Sequence, residues 1–414
     1  MSKRLLYIAF HFPPIQVSSG VHRTLAFSRY FSEHDWKVRV LTADVKAYQQ
    51  WTEAQYKFIP DKVSVVRAFA RDTARHFSFK GRYLGWMSIP DRWQSWILGG
   101  VWAGYWQIRR ERPDVILSTY PIASAHIIGY FLHKLTGVPW VADFRDPMLQ
   151  DAYPSNPAIR SVFAWIEKKA VKHCKKIIFT SPGAVELYQT RFPDVEPDRW
   201  QLIPNGYDSK LFDALPEVPK QDAQDEKITL LHSGTIYPAE RDPRALFQAL
   251  SELKQEDQLL FGKLKLVLRA TGHDELFAPM ISEYGIGDMV ELAPGTDYLT
   301  ALQEMLQVDA LLLMQASNCN YQTPAKAYEY IRAKRPVLAL TDPSGDTASV
   351  IRQSGAAMVA PLDDVAAIKK VLREFMQAIT QDAFRYLPDS DIEAFSRQHQ
   401  AKTFCSLLDK IVQQ

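Results

Sequence analysis

Twice along this chain, short apolar runs of strand character alternate with stretches of helical periodicity, and a polar break separates the two series. The first series reads "RLLYIAF", "KVRVLT", "DVILST", "PWVADF", "KIIFTS" and "WQLIP", with helical stretches such as 20–32 and 122–135 between them. The second reads "ITLLHSG", "LKLVLRATG", "MVELAP", "DALLLM", "PVLAL" and "AAMVA". Strands separated by helices pair in parallel, so each series predicts one doubly wound parallel α/β sheet. The break at 215–227, "LPEVPKQDAQDEK", is polar, holds two prolines and has no period, as a linker would. A chain of 414 residues is comfortable as two domains, each able to bury its own core. The expected division is 1–214, 228–388 and a C-terminal segment, 389–414. That segment carries a long amphipathic helix from Asp391 to Val412, expected to pack back toward the first domain. Open α/β sheets bind ligands beyond the carboxyl ends of their strands, so two facing sheets would enclose a cleft.

Composition narrows the function classes. Hydrophobic residues are 47% and charged residues 23%, which excludes a disordered chain. Cys174, Cys319 and Cys405 form no metal-ligand spacing, which argues for a reducing compartment and against structural zinc. "DSD" at 389–391 reads as a helix N-cap rather than a metal site. The apolar runs at 5–10 and 96–106 are too short for a signal core or a bilayer span, so the expectation is a cytoplasmic chain, soluble or peripheral. The formal net charge of +2 conceals an imbalance. Residues 1–200 hold 28 Lys+Arg and 17 Asp+Glu, a balance of +11; the remaining 21 and 30 give −9. One half thus meets something anionic, or the two domains have simply drifted apart.

The segment 322–340, "QTPAKAYEYIRAKRPVLAL", predicts a turn, a short helix opened by Pro324, and a buried strand. Lys326 and Glu329 share one face of that helix, close to its N-terminus, where the dipole already attracts anions. Either each engages its own part of a ligand, or they form an ordinary i,i+3 surface pair.

Five segments in order resemble the retaining glycosyltransferases of family 4, with their two-domain GT-B fold. They are "FHFPPIQVSSGVHRTLAFSRYFSEHDWKVRVLT", "GVPWVADFRDPM", "LIPNGYD", "LLHSGTIYPAERDP" and "TPAKAYEYIRAKRPVLA". The resemblance covers nearly the whole chain. It implies two facing Rossmann-like domains, a nucleoside-diphosphate sugar as donor, and no cofactor or metal. It also implies a saccharide or polyprenyl-linked acceptor held by the first domain, in cell-envelope or exopolysaccharide assembly, and no nucleic-acid partner. Alternatives of the same fold are a nucleotide-sugar epimerase and a non-catalytic nucleotide-sugar-binding protein.

The resemblance assigns residues. Gly234 permits close backbone approach, Arg241 is a forked donor suited to a diphosphate, and Lys326 adds a second charge. Glu329 matches the carboxylate that accepts from a ribose diol, and Ala327 lies beside it in the same motif. Thr235 stands where the family has a basic residue, and Tyr321 where it has a second glutamate; both depart from the pattern. Arg145 and Asp146 end a strand on the acceptor side, near the sugar, or else form a structural pair. Ser18, Ser19 and Gly20 form a first loop that closes on the donor, or a plain turn. Thr271, Gly272, Pro294 and Gly295 are strand-end positions where a base would meet backbone. The catalytic set is then Arg241, Lys326 and Arg145, with no general base: the leaving diphosphate accepts the acceptor's proton. For membrane contact, the expected clusters are Arg67, Arg71, Arg75, Lys80 and Arg82 with neighbouring aromatics, and Lys168, Lys169, Lys172, Lys175 and Lys176. The helix after the first cluster is expected to bury Trp93, Ile97, Val101 and Tyr105.

Overall fold

The computed structural model describes residues 3–16, 19–151, 153–216 and 227–413. Ser18 and nearly all of the expected linker lie outside the described residues. The chain divides into two compact units, Met1–Asn205 with Arg397–Gln414, and Gly206–Ser396.

The first unit runs β1 (Lys3–Ile8), α1 (Ser19–Glu33), β2 (Trp36–Ala43), β3 (Ser64–Ala68), α2 (Thr73–His76), α3 (Ser95–Arg110), β4 (Val115–Thr119), α4 (Ser124–Thr136), β5 (Trp140–Arg145), α5 (Pro157–His173), β6 (Lys176–Phe179), α6 (Pro182–Arg191) and β7 (Trp200–Leu202). Its seven strands are all parallel, in the order β3-β2-β1-β4-β5-β6-β7. Strands β1, β4 and β5 are buried almost throughout, which is why they read as unbroken apolar runs. One edge strand, β3, was not anticipated from the sequence. It is half exposed, so "SVVRA" lacks that run.

The second unit runs α7 (Ser209–Asp213), β8 (Ile228–Ser233), α8 (Arg244–Glu256), α9 (Gln258–Phe261), β9 (Leu264–Arg269), α10 (Asp274–Glu283), β10 (Val290–Ala293), α11 (Tyr298–Gln307), β11 (Ala310–Met314), α12 (Ala325–Ala333), β12 (Val337–Leu340), α13 (Asp346–Arg352), β13 (Ala357–Ala360), α14 (Val365–Thr380) and α15 (Asp389–Ile392). Its six strands are also parallel, ordered β10-β9-β8-β11-β12-β13. Each sheet therefore reverses direction once, between β1 and β4 and between β8 and β11. Such switch points are where open α/β sheets bind ligands.

The long terminal helix begins later than expected. Residues 389–392 make a single turn, 393–395 a 3-10 turn, and Ser396 is extended with ψ 148°. Only then does α16 (Arg397–Gln413) start. The "DSD" acids therefore do not cap it; Asp389 instead pairs with Lys334 at 2.7 Å. Helix α16 packs on α1 of the first unit, with Phe404 5.4 Å from Phe27 and 5.1 Å from Phe31 between ring centroids. It covers one face of the first sheet, and α3, α4 and α5 cover the other.

Helix α3 buries a second line more deeply than the one its periodicity predicted, though that line too packs against the core. Trp96, Gly100, Gly104 and Ile108 face the core, while Trp93, Ile97, Val101 and Tyr105 are only half-buried. The glycines decide this. A Cβ on Gly100 would sit 2.5 Å from the Ile128 side chain, and one on Gly104 2.5 Å from Leu132. Helices α3 and α4 approach so closely that only the glycine line fits between them.

Candidate functional site

The strand ends around the second switch point bring several expected residues together. Gly234 follows β8 at φ +112°, a conformation L side chains rarely adopt. A Cβ there would lie 3.2 Å from the Lys326 ammonium. Lys326 reaches back from the first turn of α12, whose N-cap position is taken by Pro324. Its Nζ donates to the Ser233 carbonyl at 2.6 Å and lies 3.4 Å from His232 Nε2. Nδ1 of that buried histidine is 3.0 Å from the Leu312 carbonyl and must carry the proton; Nε2 is then the lone pair facing Lys326. Arg241 donates to the Thr235 carbonyl at 2.5 Å and stacks 5.4 Å from the Tyr237 ring.

Neither Lys326 nor Arg241 makes an ion pair among the described residues. Burial, reinforced by Arg241 and opposed by Glu329, lowers the Lys326 pKa to about 7. Burial, with Lys326 next, pushes His232 well below its ordinary value, so it stays neutral. Two cations thus stand near one glycine without an anion in contact, at a cost that an incoming anion would relieve.

Glu329 is buried one turn further along α12 and accepts a 2.5 Å hydrogen bond from Tyr298 Oη. The carboxylate is therefore held from α11 rather than by Lys326. Gly272, at φ +77°, comes within 3.3 Å of Thr235 if given a Cβ. Thr271 is buried; its hydroxyl bonds Asp274, and its carbonyl accepts from Ile236 at 2.9 Å. The Pro294 carbonyl accepts from Arg269 at 2.8 Å, and Gly295 lies beside Ala270. Tyr321 is partly exposed before α12. Ala327 faces the core, and its N–H donates to the Pro324 carbonyl. His232 and Tyr298 escaped the sequence reading. "LLHSG" marks a polar group in a buried strand, but no local pattern reveals what it meets 94 residues on.

In the first unit the expected residues lie at the ends of β5 and the start of α1. Arg145 sits at φ +63° beyond a register shift in β5. It donates to the Tyr120 carbonyl at 3.2 Å, and its Nε has no partner among the described residues. Asp146 is raised above the usual carboxylate range by burial, against the pull of Arg145. Burial and then Arg145 lower His11, at the end of β1, to a pKa of about 3. Ser19 and Gly20 are the first residues of α1 rather than a loop. The Gly20 carbonyl accepts from Thr24 Oγ1 at 3.0 Å. Beneath them Arg23 is buried against Asp143 at 3.2 Å and also bonds the carbonyls of Ile203 and Pro204. The sequence reading missed this pair. Among the described residues no group of three or more His, Cys, Asp or Glu is arranged to hold a metal, and no helix is long and apolar enough to cross a membrane.

Residues 20–206 match the model of the glycosyl transferase 4-like domain. Fold likeness extends over both units. Sucrose-phosphate synthase from Thermosynechococcus elongatus aligns at 16% identity and TM-score 0.66, covering 99% of each chain. Anabaena HepE in complex with UDP aligns at 13% and 0.60, covering 99% of this chain and 97% of the other. A UDP-N-acetylglucosamine 2-epimerase described as putative, from Listeria monocytogenes, aligns at 10% and 0.61, covering 99% and 96%. No curated protein sequence matches. Residues 20–206 thus resemble a glycosyl transferase 4-like domain, and the chain as a whole has the GT-B fold.

Proposed function

We propose that this protein is a retaining glycosyltransferase that moves a hexosyl or N-acetylhexosaminyl group from a nucleoside-diphosphate sugar to a saccharide or lipid-linked acceptor. The observation that carries the reading is the pair of unpaired cations, Lys326 and Arg241, at a positive-φ glycine on the second unit's switch point. The second unit holds the donor. Lys326 and Arg241 meet the diphosphate, Glu329 the ribose, and the backbone near Gly272 and Pro294 the base. HepE's complex with UDP supports a nucleotide donor.

The anomeric C–O bond to the diphosphate breaks as the acceptor hydroxyl oxygen attacks from the same face. The acceptor's proton passes to the departing diphosphate oxygen. Charge builds on that leaving group, where two preorganised cations stabilise it more than in the ground state. The first unit takes the acceptor, with Arg145 orienting it or the sugar; an arginine is not a base. No metal is required, and the setting is envelope or exopolysaccharide assembly at the inner face of an anionic membrane.

A thermal-shift screen against nucleoside diphosphates and nucleotide sugars tests the reading. At 100 times its Kd a ligand stabilises by about 2.7 kcal/mol. No shift with any member would overturn it. Epimerisation is separated by product analysis: a donor isomer formed without acceptor would replace transfer with epimerase chemistry.

A further inference from the structure

Helices α3, α4 and α5 lie side by side on one face of the first sheet. Gly100 meets Ile128 and Gly104 meets Leu132, so α3 and α4 run in the same direction. Tyr130 of α4 meets Trp165 of α5 with ring centroids 5.6 Å apart. Away from the sheet this layer is unusual in two ways. First, it exposes large apolar side chains in stripes four residues apart. Leu98, Trp102 and Trp106 are 78%, 70% and 49% exposed, and Phe131 and Leu135 run alongside on α4. Second, the three helices contain a single carboxylate, Glu167, which is buried against Arg191 and Tyr188. Arg109, Arg110, Lys134, Lys168 and Lys172 are all exposed on them. The crowding of positive charge registers at His173, whose pKa is lowered by burial and then by Lys134, His133, Lys172 and Lys169.

An exposed layer bearing cations and indole rings but no exposed carboxylate matches the chemistry of one surface above others: anionic headgroups over an acyl boundary. We propose that the outer face of α3, α4 and α5 is the docking surface for an anionic bilayer, with the Trp102 and Trp106 rings at headgroup depth and the basic side chains on lipid phosphates. This rests on the peripheral part of the function proposed above but moves the contact. In the loop expected to supply it, Arg67 bonds the carbonyls of Ala43 and Pro13, Arg71 pairs with Asp44, and Arg75 bonds the Tyr48 carbonyl. Arg67 and Arg71 are half-buried in bonds that hold the fold together, which leaves Arg75, Lys80 and Arg82 as the exposed cations of that loop.

The test is co-sedimentation of the full chain with phosphatidylcholine vesicles containing or lacking 30% phosphatidylglycerol. Binding is expected only to the anionic vesicles and is expected to weaken at high salt. The double variant Trp102→Ser/Trp106→Ser should lose at least tenfold in affinity, as should Lys168→Glu/Lys172→Glu. Lys80→Glu/Arg82→Glu in the loop should change it less than threefold. Acyl-brominated lipid should quench wild-type fluorescence more than that of Trp102→Phe/Trp106→Phe. If wild type binds anionic vesicles and the helix variants bind equally, the face assignment falls and the peripheral reading survives. If wild type ignores both vesicles, both fall. A wild-type dimer in light scattering that the tryptophan variant dissociates would instead make the face a contact between copies. The nucleotide-sugar reading is judged separately, by the thermal shift, and transfer by product analysis.

Discussion

The two units share one fold but differ in how most of their buried charge is met. In the first, Arg23 is paired with Asp143 and Glu167 with Arg191, and Arg145 alone bonds only a carbonyl. In the second, Lys326 and Arg241 bond only carbonyls and the His232 ring, and among the described residues neither has a carboxylate partner. A buried pair has its desolvation offset at folding, and breaking it leaves one charge stranded. A cation without a partner carries its penalty until a ligand arrives. The first arrangement contributes to structure; the second stores affinity for an anion.

The contrast can be broken most forcefully at Asp143. Asp143→Ala leaves Arg23 buried without its carboxylate, and urea unfolding should show a loss of about 3–5 kcal/mol. In the second unit the opposite holds. Lys326→Met should leave the unliganded protein as stable as wild type or more so, while weakening binding of the nucleotide sugar found in the thermal-shift screen about 100-fold by calorimetry, roughly 2.7 kcal/mol. A Lys326→Met protein that unfolds as Asp143→Ala does would erase the distinction between the units.

The pH dependence sharpens it. With its pKa lowered to about 7, Lys326 loses its proton in the free protein as pH rises through neutrality. A diphosphate favours the charged form and raises that pKa, so binding takes up a proton above pH 7. Affinity should therefore fall as pH climbs from 7 toward 9, by up to tenfold per unit, and stay flat below about 6. A nucleotide sugar is the right probe, because its diphosphate diester does not titrate in this window. Lys326→Arg should flatten the profile, since guanidinium keeps its proton. A wild-type profile that is flat from 6 to 9 would mean the ammonium is not in contact with the diphosphate.

Glu329→Ala should remove discrimination between ribose and 2′-deoxyribose donors while leaving the fold intact. Tyr298→Phe, which loses only the bond holding that carboxylate, should cost a smaller factor, about three- to tenfold in donor affinity. Persistent discrimination in Glu329→Ala would remove the ribose assignment. The smallest expected effect is that of chelation. With Lys326 and Arg241 supplying the positive charge, turnover in metal-free buffer with excess EDTA should match the untreated rate, and loss restored by Mg²⁺ or Mn²⁺ would refute that.

Much of this protein was determined by its sequence alone, for a physical reason. Parallel strands buried on both faces must be apolar along their length, so β1, β4, β8 and β11 are legible one by one, and their alternation with helices dictates the doubly wound sheets. The half-exposed edge strand β3 carries no such constraint and went unseen. Lys326 and Glu329 were legible because one helical turn places them together. Their partners were not. Tyr298 comes to Glu329 across 31 residues, and His232 to Lys326 across 94. Such meetings depend on which strands become neighbours, and sheet order is not a local property. The same holds for α3. Periodicity alone offered Trp93, Ile97, Val101 and Tyr105 as its inner face. Close packing against Ile128 and Leu132 set the glycine line deepest and turned Trp102 and Trp106 outward.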